Sequence, residues 1–318
     1  MLAYLMRRIL LAIPVMFVVA TGVFLLLFLT PGDPVSVILG PDASPQQVLE
    51  LRQRLGLDQP VPIQVARWFS RLLQGDLGQS IYLNRPVVQT ILERAEPTIL
   101  LTLLATLFAI VVGLPIGIIS AIRAGSWADF GAMLVALGGI SMPSFWVGLN
   151  LMFVFAVVMG VLPVAGYQPL SKGLWENLRY MILPAVTLGF AQAALLARMS
   201  RSMMLEVLRE DYVRTARSKG VAERMVVLSH ALRNAMVPLV TVMGLTFAIL
   251  MGGAIITEQV FNIPGVGRLL VQSVLRRDYP MVQGIVLVIA FNYVVINLVV
   301  DILYGLFDPR VRHTEAGG

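Results

Sequence analysis

Six stretches without Asp, Glu, Lys, Arg or His alternate with polar stretches along this 318-residue chain: Ile9–Gly32, Pro97–Ile122, Phe130–Ser171, Tyr180–Ala197, Asn234–Thr257 and Tyr279–Val300. A helix rises about 1.5 Å per residue, so roughly 20 residues cross a hydrocarbon core of about 30 Å. Five of the stretches, 18 to 26 residues long, each fit one helix. The third is 42 residues long. Splitting it at Ser141-Met142-Pro143-Ser144 would leave only about ten residues before the break, so the pattern predicts one helix kinked near Pro143. A loop rich in Gly160, Pro163, Gly166 and Pro169 follows it. The expectation is an all-α polytopic membrane protein with six transmembrane helices: a first span within residues 1–32, then spans at about 98–122, 131–158, 180–199, 234–257 and 281–303. Residues 200–233 form a polar loop between spans, and 307–318 a tail.

Residues 33–95 carry turn and cap signals in place of long apolar runs. Ser44-Pro45 reads as an N-cap followed by a first-turn proline, opening a helix over Gln46–Leu55 that stops at Gly56. Pro62 opens a second, with Val65, Trp68, Phe69, Leu72 and Leu73 on one face and a stop at Gly75. Pro86 opens a third, to about Arg94. Together they predict a small helical external cap that packs over the ends of the spans.

Lys and Arg set the orientation. With the amino terminus inside, thirteen fall in inside segments and five in short outside loops. Six more lie in the long 33–96 loop, where the bias has little force. Both termini are therefore expected in the cytoplasm. Arg7 and Arg8 precede an apolar run longer than a signal peptide's 7–15 residues, and no A-x-A cleavage site follows, so the first helix is expected to stay.

Composition agrees with a membrane protein: 58% hydrophobic, 13% charged, mean hydropathy +0.82, against about 25% charged in soluble domains. The net charge of +6 is not a nucleic-acid signature, because no basic patch is interleaved with aromatics for base stacking. The absence of cysteine removes disulfides and thiolate sites. The two histidines, His230 and His313, are too few and too far apart for a metal centre. No G-x-S-x-G, H-E-x-x-H or phosphate-binding G-x-x-x-x-G-K-[ST] occurs, and Gly265-Val266-Gly267 reads as a turn. The chain is expected to be no enzyme and to bind no cofactor.

A charged residue in mid-membrane normally marks an ion-driven carrier, and the six stretches hold none. They hold Asn150, Gln192, Asn292 and Asn297, together with Ser141 and Ser144. Candidate path-lining residues are Ser141, Pro143, Ser144, Phe145, Trp146, Asn150 and Asn292. Proline frees a backbone carbonyl one turn earlier, and hydroxyls or water in a cavity can satisfy it. Helix–helix packing is the competing role.

The polar island Arg209–Arg233 breaks the pattern most sharply. Met204, Leu205, Leu208, Tyr212 and Ala216 recur at helical spacing, Glu210 precedes Arg214 by four residues, and Gly220 ends the run before Ala222–Leu232 starts another helix. Two short helices projecting from the membrane would make a knob for a soluble partner.

The stretches YVRTARSKG (Tyr212–Gly220) and HALRNAMVP (His230–Pro238) resemble the cytoplasmic loop of bacterial ABC-importer permeases of the dipeptide, oligopeptide and nickel subgroup. The general pattern there is Glu-Ala-Ala, three residues, Gly. This chain keeps Ala216 and Gly220 but has Arg214 and Thr215 at the first two positions, as that subgroup does. LTPGDPV, FNIPGVGRLL, RRDYP and DILYGLFDPRVR resemble the same subgroup, so the likeness covers nearly the whole chain. It implies a type-I ABC importer transmembrane domain over 96–306, the first permease of a pair in the bacterial inner membrane. It also implies a second homologous permease, two ATPase subunits that use ATP and Mg, and an extracytoplasmic substrate-binding protein. Tyr212, Arg214, Thr215, Ala216, Arg217 and Gly220 would couple to the ATPase. Peptide is the substrate expected, by alternating access. Nickel or glutathione import, or a membrane scaffold or channel without an ATPase, are the alternatives.

Overall fold

The computed structural model describes residues 2–29, 35, 39–40 and 43–307. The expected tail, with Arg310 and Arg312, and residues 30–34 of the first loop lie outside the described residues. Helix α1 (Leu2–Leu29) runs along the last helix, and its Phe17 and Phe24 meet Phe69 and Trp68 of the cap at ring distances of 5.2 and 5.5 Å. The cap holds α2 (Pro45–Leu55) and α3 (Val61–Leu73). At the start of α2, Ser44 Oγ accepts the Gln47 amide and the Gln47 side chain accepts the Ser44 amide, which satisfies two orphan donors at once. Gly56, at φ +70°, ends the helix as its position suggests.

The third cap helix expected from Pro86 is not separate. It is the beginning of α4 (Val87–Ile122), 36 residues without interruption. No glycine stop separates Arg94 from Pro97, and Pro97 removes one amide from the ladder without ending the helix.

Helix α7 (Leu174–Leu208), 35 residues, is the central rod and the most buried of the long helices. It crosses α4 in parallel, backbone against backbone. A Cβ at Gly189 would meet the Ala105 carbonyl, one at Gly113 the Ala193 carbonyl, and one at Gly117 the Ala197 carbonyl and Ser200 Oγ. Only small residues on both helices permit this approach.

The third predicted span is not one kinked helix. It is α5 (Trp127–Ser141) and α6 (Ser144–Val158), bent by 107°. Met142 is extended at φ −85°, ψ 132°, as the residue before a proline prefers, and Pro143 is extended as well, so two consecutive residues leave the helix. Each half is about 22 Å long, too short to cross a membrane alone.

After α7 come α8 (Asp211–Ser218), a long helix α9 over residues 223–260, α10 (Val266–Leu275) and α11 (Tyr279–Phe307). Three segments, Ala109–Gly113, Met152–Val158 and Val226–Leu232, have the wider π-type turn. Among the described residues, four helices are long and apolar enough to cross a membrane, α5 with α6 would make a fifth crossing, and α1 contributes the apolar run Leu10–Leu25.

Candidate functional site

The polar island folds around α8. The helix predicted to run from Met204 to Ala216 is interrupted at Arg209–Glu210, where α7 ends, and α8 restarts at Asp211. The second short helix expected at Ala222–Leu232 is the first part of α9 and runs on into a span. One short helix therefore sits between two long ones. Val213 and Ala216 bury its inner face against Val226, with Leu208 and Val221 around them. Gly220, at φ +75° with open space around it, makes the turn into α9; the requirement is conformational, not steric.

Arg217, though partly exposed, is engaged within the island. Its Nε and Nη2 donate to the two carboxylate oxygens of Glu223 at 3.1 and 2.7 Å, and its Nη1 reaches the Leu208 carbonyl at 3.4 Å. One guanidinium thus ties together the end of α7, the helix α8 and the start of α9. The Glu223 carboxyl is held below its ordinary value, chiefly by this hydrogen bond. Tyr212 Oη accepts from Asn234 Nδ2 at 2.8 Å and donates to the His230 carbonyl at 3.4 Å, fastening α8 to the wide turn of α9. Arg214, 71% exposed and 3.6 Å from Asp211, and Thr215 are left on the outer face. Beside α8 lies a hollow of about 530 Å³ bordered by Arg201, Glu206, Arg209 and Asp211. Its wall is fixed by a two-pronged pair, Arg201 Nε to Asp129 Oδ1 at 2.6 Å and Nη2 to Oδ2 at 2.7 Å, with the Gly125 amide on the same carboxylate.

The α10 end is organised by carboxylates. Glu258, fully buried, accepts the Thr98 hydroxyl at 2.6 Å and the Arg268 amide at 2.8 Å, while Thr98 Oγ1 accepts the Val266 amide at 2.8 Å. Gly265 and Gly267 permit this: a Cβ on Gly265 would overlap the Glu258 carboxylate, and one on Gly267 would press on Ile255. The stretch read as a simple turn is therefore the start of α10, with a carboxylate set against its N-terminal amides. Asp278, 2% exposed, accepts the Ser80 hydroxyl and the Ile81 and Tyr82 amides. Glu96 accepts Tyr167 Oη at 2.7 Å and the Leu170 amide at 2.9 Å. Burial first, then this hydrogen bond, pushes the Tyr167 phenol above its ordinary value. Sequence reasoning passed over Asp129, Glu258 and Asp278. Each directly abuts a charge-free stretch, and that position was the available signal.

The candidate path residues are not gathered into one lining. Ser141 Oγ donates to the Leu137 carbonyl and Asn150 Nδ2 to the Trp146 carbonyl, each within its own helix. Ser141, Pro143, Phe145, Trp146 and Asn150 are exposed and Ser144 partly so, on α5 and α6 and the bend between them. Asn292 lies on α11 and bonds the Val288 carbonyl. Among the described residues no three acidic or histidine side chains converge to hold a metal ion.

The family described as binding-protein-dependent transport system inner membrane component matches residues 113–313, and the N-terminal region of such components matches residues 1–102. This chain belongs to that family. It is a permease subunit and a multi-pass inner-membrane protein. It is 49% identical over 313 residues to a putative peptide transport system permease protein of Brucella abortus, covering 98% of this chain and all of the relative. It is 47% identical, over the same shares, to the glutathione transport system permease protein GsiC of Salmonella paratyphi A. An inward-facing structure of the MetNI methionine ABC transporter has the same fold, with a TM-score of 0.57 at 19% identity over 69% of this permease and 97% of that chain.

Proposed function

We propose that this permease carries peptides inward across the membrane by alternating access, driven by ATP that two partner ATPase subunits hydrolyse with Mg. A second, homologous permease completes the pathway, and an extracytoplasmic binding protein delivers the substrate. The observation that carries the reading is α8: a helix of two turns, locked to both long neighbours through Tyr212 and Arg217 and bearing Arg214 and Thr215 on its free face. A push on α8 is transmitted to α7 and α9 because Arg217 joins all three. The α8 end and both termini are then cytoplasmic, and the α10 end and the cap are outer, as the Lys and Arg distribution suggests.

Peptide is the substrate class favoured by the 49% identical relative, and the 47% identical glutathione permease supports a short tripeptide as a second candidate. The path is assigned to the α5–α6 bend, whose non-helical backbone at Met142 and Pro143 requires protein or water around it. The deciding experiment is ATPase activity of the reconstituted complex, with binding protein, against a panel of di-, tri- and oligopeptides and glutathione. Stimulation by glutathione alone would replace the peptide assignment. A permease that copurifies with no ATPase would be a scaffold or channel.

A further inference from the structure

The two halves of the bent pair α5–α6 rest on different supports. On α5, a Cβ at Gly139 would lie 3.1 Å from the Phe190 ring and 3.2 Å from Ala194, both on α7. Ten residues earlier, about 15 Å back along the same helix, the Asp129 carboxylate takes both prongs of Arg201, again on α7. On α6, a Cβ at Gly148 would press on Thr187 of α7 and equally on Phe261, which is buried just after α9. Phe261 belongs to the segment that follows Glu258, where the Ile263 amide bonds the Glu258 carbonyl at 2.9 Å. Helix α5 thus leans on α7, whereas α6 is shared between α7 and the firmly held α10 end. The extended residues Met142 and Pro143 join the halves, so a displacement of α5 against α6 is taken up there.

The two fastenings of α5 on α7 differ in kind. The apolar contact at Gly139 has no preferred direction and lets one helix slide along the other. The pair of Asp129 with Arg201 fixes both distance and angle, because two parallel hydrogen bonds at 2.6 and 2.7 Å join a planar guanidinium to a planar carboxylate. Asp129 is only 4% exposed, so little water competes for it. The same carboxylate accepts the Gly125 amide at 2.9 Å, and Ser126 Oγ accepts the Asp129 amide at 3.2 Å, which fixes the turn leading into α5. Arg201 stands seven residues before Leu208, about 10 Å along α7, and the Leu208 carbonyl is the one that Arg217 of α8 reaches. A continuous line of contacts therefore runs from α8 through the end of α7 to Asp129, and along α5 to the bend.

Resting on the transport reading above, we propose that Arg201 and Asp129 are positioning residues for transport: they make α5 follow the α8 end of α7, and so convert a displacement of α8 into movement at the Met142–Pro143 bend. Both act through the bend and not on the substrate. Without the pair, α7 slides past α5 at the Gly139 contact and the bend stays as it is.

The test uses the whole permease–ATPase complex in lipid vesicles. Ser141→Cys reports on the bend, and Ser218→Cys, at the exposed last residue of α8, reports on the pushed helix. Labelling by a water-soluble thiol reagent is timed with and without bound ATP. Each reporter is placed with the native pair, with Asp129→Asn and with Arg201→Lys, and unfolding temperatures are measured alongside. Asparagine keeps the shape of aspartate without its charge, and lysine keeps the charge without the two-pronged geometry. In Asp129→Asn the ATP-dependent change at Ser141→Cys is expected to be lost while the change at Ser218→Cys persists, and Arg201→Lys is expected to keep part of the response at the bend. A response at the bend that survives in full in Asp129→Asn overturns the proposal. So does loss at both reporters together with a lowered unfolding temperature, which is what a merely structural pair gives. With the native pair, a response at Ser218→Cys but none at Ser141→Cys overturns the proposal and leaves the transport reading standing. Silence at both reporters with the native pair overturns the transport reading itself, and the proposal with it.

Discussion

The two ends of this permease are fastened by different chemistry. At the α10 end, Glu258 and Asp278 are buried and accept hydrogen bonds from backbone amides and hydroxyls of segments about 160 to 200 residues away in sequence. At the α8 end, the Arg217–Glu223 pair that locks α8 is half exposed on both sides. Buried polar groups are costly to leave unpaired, whereas an exposed ion pair contributes about 0–1 kcal/mol and exchanges readily with water. The α10 end is built to keep one arrangement. The α8 end is joined by contacts weak enough to be broken and re-formed.

The largest effect expected is at the α10 end. Glu258→Ala strands the Thr98 hydroxyl and the Arg268 amide, a loss of roughly 3 kcal/mol at 1–3 kcal/mol per orphaned group. It should appear as a clear drop in the unfolding temperature of the detergent-solubilised protein, with Glu258→Gln intermediate. A Glu258→Ala protein as stable as Arg217→Ala would erase the contrast.

Gly220→Val comes next. A β-branched residue at φ +75° costs about 1–2 kcal/mol, borne by the α8–α9 turn alone. Membrane abundance should stay normal while uptake is lost, and Gly220→Asn should transport, because asparagine tolerates this conformation. Normal uptake in Gly220→Val would remove the turn from the coupling route.

Arg217→Ala should lower stability by less than about 1 kcal/mol yet raise the ATP hydrolysed per peptide transported, since α8 would shift without carrying α7 with it. An unchanged ratio would show that packing of Val213 and Ala216 suffices.

Cysteines at Ser141 and Ser144, in a chain that has none, should leave stability unchanged and react with a water-soluble thiol reagent to an extent that depends on bound nucleotide. Inert positions in every state would make the α5–α6 bend a strut.

The smallest effect concerns pH. Glu223 has a depressed folded value, so its contribution is complete above the ordinary carboxylate value of about 4 and fades as pH falls through the lower folded value. Glu223→Gln should remove that slight acid sensitivity, read by proteolysis at the α8–α9 turn. Persistence of the sensitivity would point to another group.

Much of this was legible in the sequence. Charge-free windows located the long helices because a membrane selects for length and apolarity, and Ser44, Gly56 and Gly220 behaved as their positions require. Three features were not legible. Pro86 announced a helix start but not its end, because nothing local distinguishes a two-turn cap helix from the top of a span. Pro143 marked a disturbance, but two extended residues bend the chain by 107° where one would only kink it. The roles of Glu258 and Asp278 depend on partners far along the chain, which periodicity does not report. Among the coupling candidates, Ala216 is buried against Val226 and the partly exposed Arg217 is paired with Glu223, while Arg214 and Thr215 lie on the outer face of α8.

The parallel contact of α4 with α7 also bears on how the protein is made. Gly113 and Gly117 on α4 are surfaces shaped for a helix that begins some fifty residues after α4 ends. A ribosome releases α4, α5 and α6 before any of α7, so α4 must wait in the membrane with its groove filled by lipid or by the insertion machinery. In that interval α5 and α6, each too short to span, have no rod to lean on. Arrival of α7 therefore closes the backbone contact and gives the bent pair its support in one step. Synthesis stalled before residue 174 would leave a chain that is inserted but unassembled, a natural substrate for membrane proteases.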